Sequence, residues 1–306
     1  MTTLKQFIAS RQIRHAFGSS DRKRDKGQTT PSDIIRFDDI LYGDDMRFKK
    51  WQLLDVYRPK DASEADGSLK KLPVIISVHG GGWVYGDKEC YQWYCMRLAQ
   101  RGFAVVNFSY RLAPEAKFPS SMQDTEKVFQ FVADNAAQYG FDTENVFAVG
   151  DSAGGHLLSL YAAALTNKDF GKNFEFIRDK KLTLRALGLN CGKYTLDDTD
   201  PKFKLLRSGF LPKGGTPEEV KLVDSAAHVT SDYPPSFVMT CLGDFLKDQA
   251  NVMKAALEAA GVRYELHCYG TEEQPLWHVF HCDPHLQEAV QCNDDECNFF
   301  RSLIKE

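Results

Sequence analysis

The chain predicts an α/β architecture, a mostly parallel central sheet flanked by helices and carrying a small helical cap. Three observations support it. Short apolar runs alternate with helix-compatible segments, the pattern of a parallel sheet with crossover helices. One such run, Asn145-Val146-Phe147-Ala148-Val149, leads through Gly150-Asp151-Ser152-Ala153-Gly154 into a helix-compatible run from His156 to Leu165. Another, Leu72 to Val78, opens directly onto His79-Gly80-Gly81-Gly82-Trp83.

Taken in order, residues Met1 to about Gly43 are polar and charged, and helical or irregular structure near the site is expected there. Alternation from Phe48 to Tyr57 predicts an antiparallel edge strand, and Asp61 to Lys71 a charged loop. Parallel strands are expected at Val74–Val78, Ala104–Phe108, Val146–Val149, Leu184–Asn190, Phe237–Leu242 and Tyr264–Tyr269. Helices are expected near Tyr91–Arg101, Ser121–Tyr139, Ala153–Leu165, Lys247–Ala260 and His285–Ile304. The segment Tyr194 to Asp232 breaks the alternation with Asp197-Asp198, Pro212, Gly214-Gly215 and Pro217. It reads as an insertion (194–232) that caps the serine together with residues 1–43. The rest belongs to one domain spanning 1–306, without internal repeats.

Composition bounds the function. With 306 residues, 43% hydrophobic and 12% aromatic, the chain can bury one large α/β core. A net charge of -4 gives no general attraction to nucleic acid or to an anionic membrane, and neither partner is expected. The basic cluster Arg22-Lys23-Arg24 with Lys26 is interleaved with Asp21 and Asp25, so it reads as solvated surface. No stretch approaches the ~20 apolar residues of a membrane span, and Met1 to Ile8 lacks a signal-peptide core, so a cytoplasmic location is expected. Cys191, Cys241 and Cys268 fall in apparent buried strands, where free thiols behave as small hydrophobes. Cys282, Cys292 and Cys297 lie near His281 and His285, but no Cys-x-x-Cys or His-Glu-x-x-His spacing occurs, and no metal is expected.

The chemistry resides in the two glycine motifs. A serine hydroxyl is a poor nucleophile, and Gly-x-Ser-x-Gly holds it at the tip of a tight strand-to-helix turn open to a histidine and a carbonyl. Three consecutive glycines cost backbone entropy, which is reasonable where main-chain N–H groups must point inward at a developing oxyanion. Such a hole would use the amides of Gly81, Gly82 and Ala153. The dinucleotide and P-loop glycine patterns are absent. Trp83, Tyr85, Tyr91, Trp93 and Tyr94 follow the glycine run and offer an aromatic wall. Trp83 and Tyr85 stand closest to the motif, and Trp83 is expected to limit acyl or alcohol size.

These motifs, with Tyr110-Arg111-Leu112-Ala113-Pro114-Glu115 and Phe118-Pro119 between them, resemble the hormone-sensitive-lipase-like group of α/β-hydrolase esterases. The resemblance runs from the strand before His79 to the C-terminus. It implies the α/β-hydrolase fold, carboxylic-ester hydrolysis without a cofactor, a small-molecule ester as substrate, and a homodimer through the last strand and helix.

The partners of Ser152 must then follow in the order acid, histidine. Asp244 ends a predicted strand, at the sheet edge where active sites gather. Asp248 competes on the residues alone, since a carboxylate at a helix start is stabilised by the helix dipole whatever the chemistry. The resemblance favours Asp244. Beyond it lie His267, inside an alternating run, then His278, His281 and His285. The resemblance places the base on the loop after the last strand, at His278, with His281 its rival and His285 in the final helix. His79 is expected to fix the glycine loop. Two alternatives stay open: an arylformamidase-like amide hydrolase, whose His-Gly-Gly-x-Trp motif is also met by His79 to Trp83, and a ligand-binding protein on this fold.

Overall fold

The computed structural model describes residues 2–63, 67–177, 182–197 and 199–305, so Asp198 of the insertion and residues 64–66 of the Asp61–Lys71 loop lie outside the described residues. The chain runs α1 (Leu4–Arg24), β1 (Ile34–Leu41), a 3-10 turn (Met46–Trp51), β2 (Leu53–Pro59), β3 (Leu72–Val78), α2 (Lys88–Ala99), β4 (Ala104–Phe108), α3 (Ser120–Asp134), α4 (Ala136–Tyr139) and β5 (Phe141–Asp151). It continues with α5 (Ala153–Thr166), α6 (Lys168–Gly171), β6 (Leu184–Asn190), α7 (Pro201–Phe210), α8 (Pro217–Leu222), β7 (Ser236–Cys241), α9 (Lys247–Ala259), β8 (Tyr264–Tyr269) and α10 (Gln287–Arg301).

The strands form one eight-stranded sheet in the order β1-β2-β4-β3-β5-β6-β7-β8. Pairing is antiparallel from β1 through β2 to β4 and parallel from there to β8. Helices cover both faces, so the central strands are buried on both sides and read as continuous apolar runs. Val74, Ile76 and Val78 of β3 join one core layer, with Leu157, Leu158 and Tyr161 of α5. Ile75 faces the other layer, with Tyr94 and Leu98 of α2 and Phe300 of α10. Each such fully buried Val, Leu or Phe contributes about 1.5–3 kcal/mol relative to an exposed one.

The structure corrects several sequence expectations. The strand expected at Phe48–Tyr57 begins at Leu53 and is not the edge; that place belongs to β1, inside the segment expected to be helical or irregular. Its alternation is broken at Asp38-Asp39, where the register shifts between Phe37 and Ile40. The helix expected over Ser121–Tyr139 divides at Asn135, whose side chain donates to Phe131 O (2.9 Å). His285 precedes α10 instead of joining it. Cys268 is exposed because β8 is the far edge strand, whereas Cys191 and Cys241 are buried. The N-terminal segment opens with α1, whose Thr3 and Gln6 form a reciprocal capping box. Among the described residues no helix is long and apolar enough to cross a membrane.

Candidate active site

Ser152 stands between β5 and α5 at φ 52°, ψ -116°, a conformation that L-residues rarely adopt. Local hydrogen bonds hold it there. Its N–H donates to Asn190 O (3.0 Å), and its carbonyl accepts from His156 N (3.1 Å) and Lys193 N (3.2 Å). The turn requires small neighbours: a Cβ on Gly154 would collide with the Val78 carbonyl, and one on Gly150 would come within 2.7 Å of Gly154 O. β3 and β5 are thereby drawn together, and the glycine loop after β3 lies beside the serine.

That loop is pinned from several sides. Gly81 has φ 111°, and a Cβ there would strike the Tyr85 backbone, whose N–H donates to Gly81 O (3.0 Å). His79 is fully buried, stacked on Tyr110 with ring centroids 4.0 Å apart, and its Nδ1 donates to Gly80 O (2.8 Å). Burial lowers its pKa to about 4, so the ring is neutral, and it sits in the loop's support. Asp151 completes the brace. Its carboxylate accepts from Tyr91 OH (2.8 Å) and from Gly80 N (3.2 Å), tying the elbow to the glycine loop. Burial raises this carboxyl to about 6, with the Tyr91 hydrogen bond pulling it back. The sequence reading gave Asp151 no role; a carboxylate inside the Gly150–Gly154 motif, one residue before the serine, was the available signal.

His278 and Asp244 meet at the other side of the site. His278 Nδ1 donates to Asp244 Oδ1 at 2.7 Å. Asp244 also accepts from Leu246 N (2.8 Å) and Thr240 Oγ1 (3.1 Å). Burial pushes its pKa up, but the hydrogen bonds from His278 and Leu246 N prevail, and it lies below the usual carboxylate value. The two loops are stitched by Gly243 N to Pro275 O (2.8 Å) and Cys241 Sγ to Trp277 O (3.2 Å). A side chain on Gly243 would collide with Leu276 O. The rivals lie elsewhere. Asp248 is exposed in the first turn of α9, His281 is buried against Tyr94, His267 faces Glu265 on β8, and His285 donates to Arg24 O.

Ser152, His278, Gly81, Gly82, Ala153, Trp83 and Tyr85 all line one cavity of about 440 Å³. Tyr91 joins them; Trp93 and Tyr94 do not, Tyr94 instead donating to Glu296 in the core behind α2. Trp83 is buried, stacked on Phe210 (4.8 Å), and its Nε1 donates to His156 Nδ1 (3.2 Å). Tyr85 OH donates to Asp21 (2.7 Å). The sequence reading did not name Ile13, Phe17, Phe203, Leu206 or Lys193, which help close the cavity, and it placed Arg24 on a solvated surface. Arg24 instead lines the cavity, with its side chain 16% exposed, paired with Asp25 (2.7 Å) and donating to Cys90 O (2.6 Å). Helix α1 reaches α7 through Gln6 Nε2 to Ser208 Oγ (2.9 Å). Their signal was weak, because α1 shows no continuous apolar stripe.

The arrangement offers a strained serine hydroxyl, an imidazole oriented by a carboxylate, and backbone amides beside them in a largely apolar cavity. The fold is that of the α/β hydrolases. Esterase B of Lactobacillus rhamnosis shares the fold with a TM-score of 0.86, at 24% identity, over 98% of this chain and 96% of that one. The Pyrobaculum calidifontis esterase gives 0.74 at 24% identity, over 96% and 91%. Within that class the BD-FAE family model matches residues 54–246, and the chain belongs to this family. The resemblance to hormone-sensitive-lipase-like α/β hydrolases is borne out. Among relatives, versiconal hemiacetal acetate esterase of Dothistroma septosporum is 30% identical over 214 residues, 64% of each chain. Esterase LipC of Mycobacterium tuberculosis is 31% identical over 209 residues, 65% of this chain and 49% of its own. The matches thus span between about half and two thirds of these relatives' length.

Proposed function

We propose that the protein is a serine carboxylesterase for short-chain acyl esters, acetyl to butyryl, acting through Ser152, His278 and Asp244. His278 takes the Ser152 proton as the hydroxyl attacks the ester carbonyl. Asp244 holds the imidazole in the tautomer whose Nε2 is free to accept, and stabilises the charge that forms. The amides of Gly81, Gly82 and Ala153 receive the oxyanion, each essential donor worth roughly 3 to 4 kcal/mol. The imidazolium returns its proton to the leaving alcohol. Water, activated by the same ring, then hydrolyses the acyl-serine.

The observation that carries this reading is the 2.7 Å bond from His278 to Asp244 in the cavity that also holds the strained Ser152 and the glycine loop. Trp83, fixed by Phe210 and His156, supports short acyl groups by filling the space beside the loop. An acetate ester in the name of one relative agrees with that size. In this reading the chain is one α/β-hydrolase domain, with α1 and residues 194–232 as the cap that selects substrate. It acts as a cytoplasmic homodimer, which fractionation and light scattering check.

Nitrophenyl acetate, butyrate, octanoate and decanoate, offered to the wild type and to Ser152→Ala, test the proposal. Serine-dependent turnover falling with chain length is expected. A maximum at the decanoate contradicts the short-chain reading. Cleavage of formylkynurenine without ester turnover moves the chain to the formamidases, and no cleavage of either moves it to a binding role.

A further inference from the structure

The proposed reaction leaves a buried thiol unused behind the Asp244–His278 pair. Cys191 follows β6 at φ 47°, is 1% exposed, and is held by its N–H to Met239 O (2.8 Å). Its Sγ, a carboxylate oxygen of Asp244 and a ring nitrogen of His278 all lie within 4.8 Å of one another. Among the described residues this is the group of three or more His, Cys or acidic side chains close enough to share an ion. The cysteines near His281 are not gathered so.

We propose that Cys191, Asp244 and His278 form an inhibitory site for Zn²⁺. The inference rests on the reading of Asp244 and His278 as the catalytic pair. One thiolate, one imidazole and one carboxylate are a zinc donor set, with bonds of roughly 2.0 to 2.3 Å and a water in the fourth position. Ligand atoms of a tetrahedral ion stand roughly 3.3 to 3.7 Å apart, so three groups within 4.8 Å of one another, two of them 2.7 Å apart, gather around it with side-chain shifts of up to about 1.5 Å. His278, whose side chain is 17% exposed, provides the way in from the cavity. Mg²⁺ and Ca²⁺, which prefer all-oxygen shells, do not suit the sulfur.

The balance of the step is simple. The ion replaces the His278–Asp244 hydrogen bond. Cys191 releases its thiol proton to solvent and binds as thiolate; the Nδ1 proton of His278 passes to Nε2, and Nδ1 binds the metal. One proton is released per ion. With Nε2 protonated, the ring has no lone pair to accept the Ser152 proton, and hydrolysis stops. Cys241, bonded to the Trp277 carbonyl, serves as the control thiol.

Two measurements test the site. Co²⁺ added to Ser152→Ala is expected to give a near-ultraviolet thiolate charge-transfer band, retained with Cys241→Ser and lost with Cys191→Ala or Cys191→Ser. Micromolar Zn²⁺ is expected to inhibit nitrophenyl butyrate hydrolysis by the wild type, reversibly with EDTA, and Cys191→Ala to require at least about tenfold more. Equal inhibition of Cys191→Ala, or a Co²⁺ complex without the thiolate band, overturns the inference. The band is read without turnover, so it decides the metal site even if the esterase reading fails.

Discussion

Glu296 on α10 offers a stability prediction whose size follows from its surroundings. Its side chain is buried, with Oε1 accepting from Asn190 Nδ2 (2.8 Å) and Oε2 from Tyr94 OH (3.1 Å). Burial raises its pKa from 4.5 to about 7, the two hydrogen bonds pulling it partway back. The unfolded chain ionises this carboxyl near 4.5 and the folded chain only near 7. Between these values the unfolded state holds fewer protons, so stability falls as pH rises, and above the folded pKa the loss stays constant. A shift of that size corresponds to about 3 kcal/mol. Glu296→Gln keeps the shape and both hydrogen-bonding positions but cannot ionise. Urea unfolding is expected to show the variant about 2 to 3 kcal/mol more stable at pH 8, about 1 M in the midpoint, and nearly equal to the wild type at pH 4. A variant that gains nothing at pH 8, or gains equally at both pH values, refutes the reasoning. Asn190 also accepts the Ser152 N–H through its carbonyl, so unchanged esterase turnover in the variant shows that the elbow is intact.

Four further outcomes are expected. Asp244→Asn leaves circular dichroism unchanged and lowers kcat for nitrophenyl butyrate by about 10⁴-fold, because the imidazole loses its enforced tautomer. Gly154→Ala drives a methyl into the Val78 carbonyl and costs about 3 kcal/mol or more, read as a lowered unfolding midpoint. Lys88→Met leaves the buried Asp55 carboxylate without its ammonium partner (3.0 Å) and costs about 3 to 5 kcal/mol in urea unfolding. Trp83→Ala opens the cavity beside the glycine loop and moves the best nitrophenyl ester to a longer chain, seen as a higher ratio of octanoate to butyrate kcat/KM.

The legible parts of the chain were those where local chemistry leaves few choices. Parallel strands buried on both faces read as apolar runs, so β3 through β7 were found, together with the elbow and the glycine loop, while the half-exposed edge strand β8 was found by its alternation. Gly81 is required by a collision across one turn, with Tyr85, and Gly154 by a collision with Val78 at the end of the neighbouring strand, and both requirements are written in the composition of the motifs. Asp244 and His278 were legible from chain order and strand ends with the help of a family resemblance; residues alone left Asp248 and His281 open. What stayed hidden depends on distant partners. The edge strand β1 carries polar residues and a register shift, so its pairing with β2 gives no clean alternation. Helix α1 contributes Ile13, Phe17 and Arg24 to the cavity although its sequence resembles a solvated segment. Lys193 shows its place only once β5 and β6 lie side by side, and Asp151 only once β3 lies beside β5.

Hydrolysis of nitrophenyl butyrate by the wild type and by Ser152→Ala, followed from the first turnover, tests the central claim most directly. A nitrophenol burst equal to the enzyme concentration, followed by steady turnover, is expected of the wild type under conditions where deacylation is slow, with both phases lost in Ser152→Ala. Steady turnover that survives the substitution would contradict the assignment of Ser152 as the nucleophile.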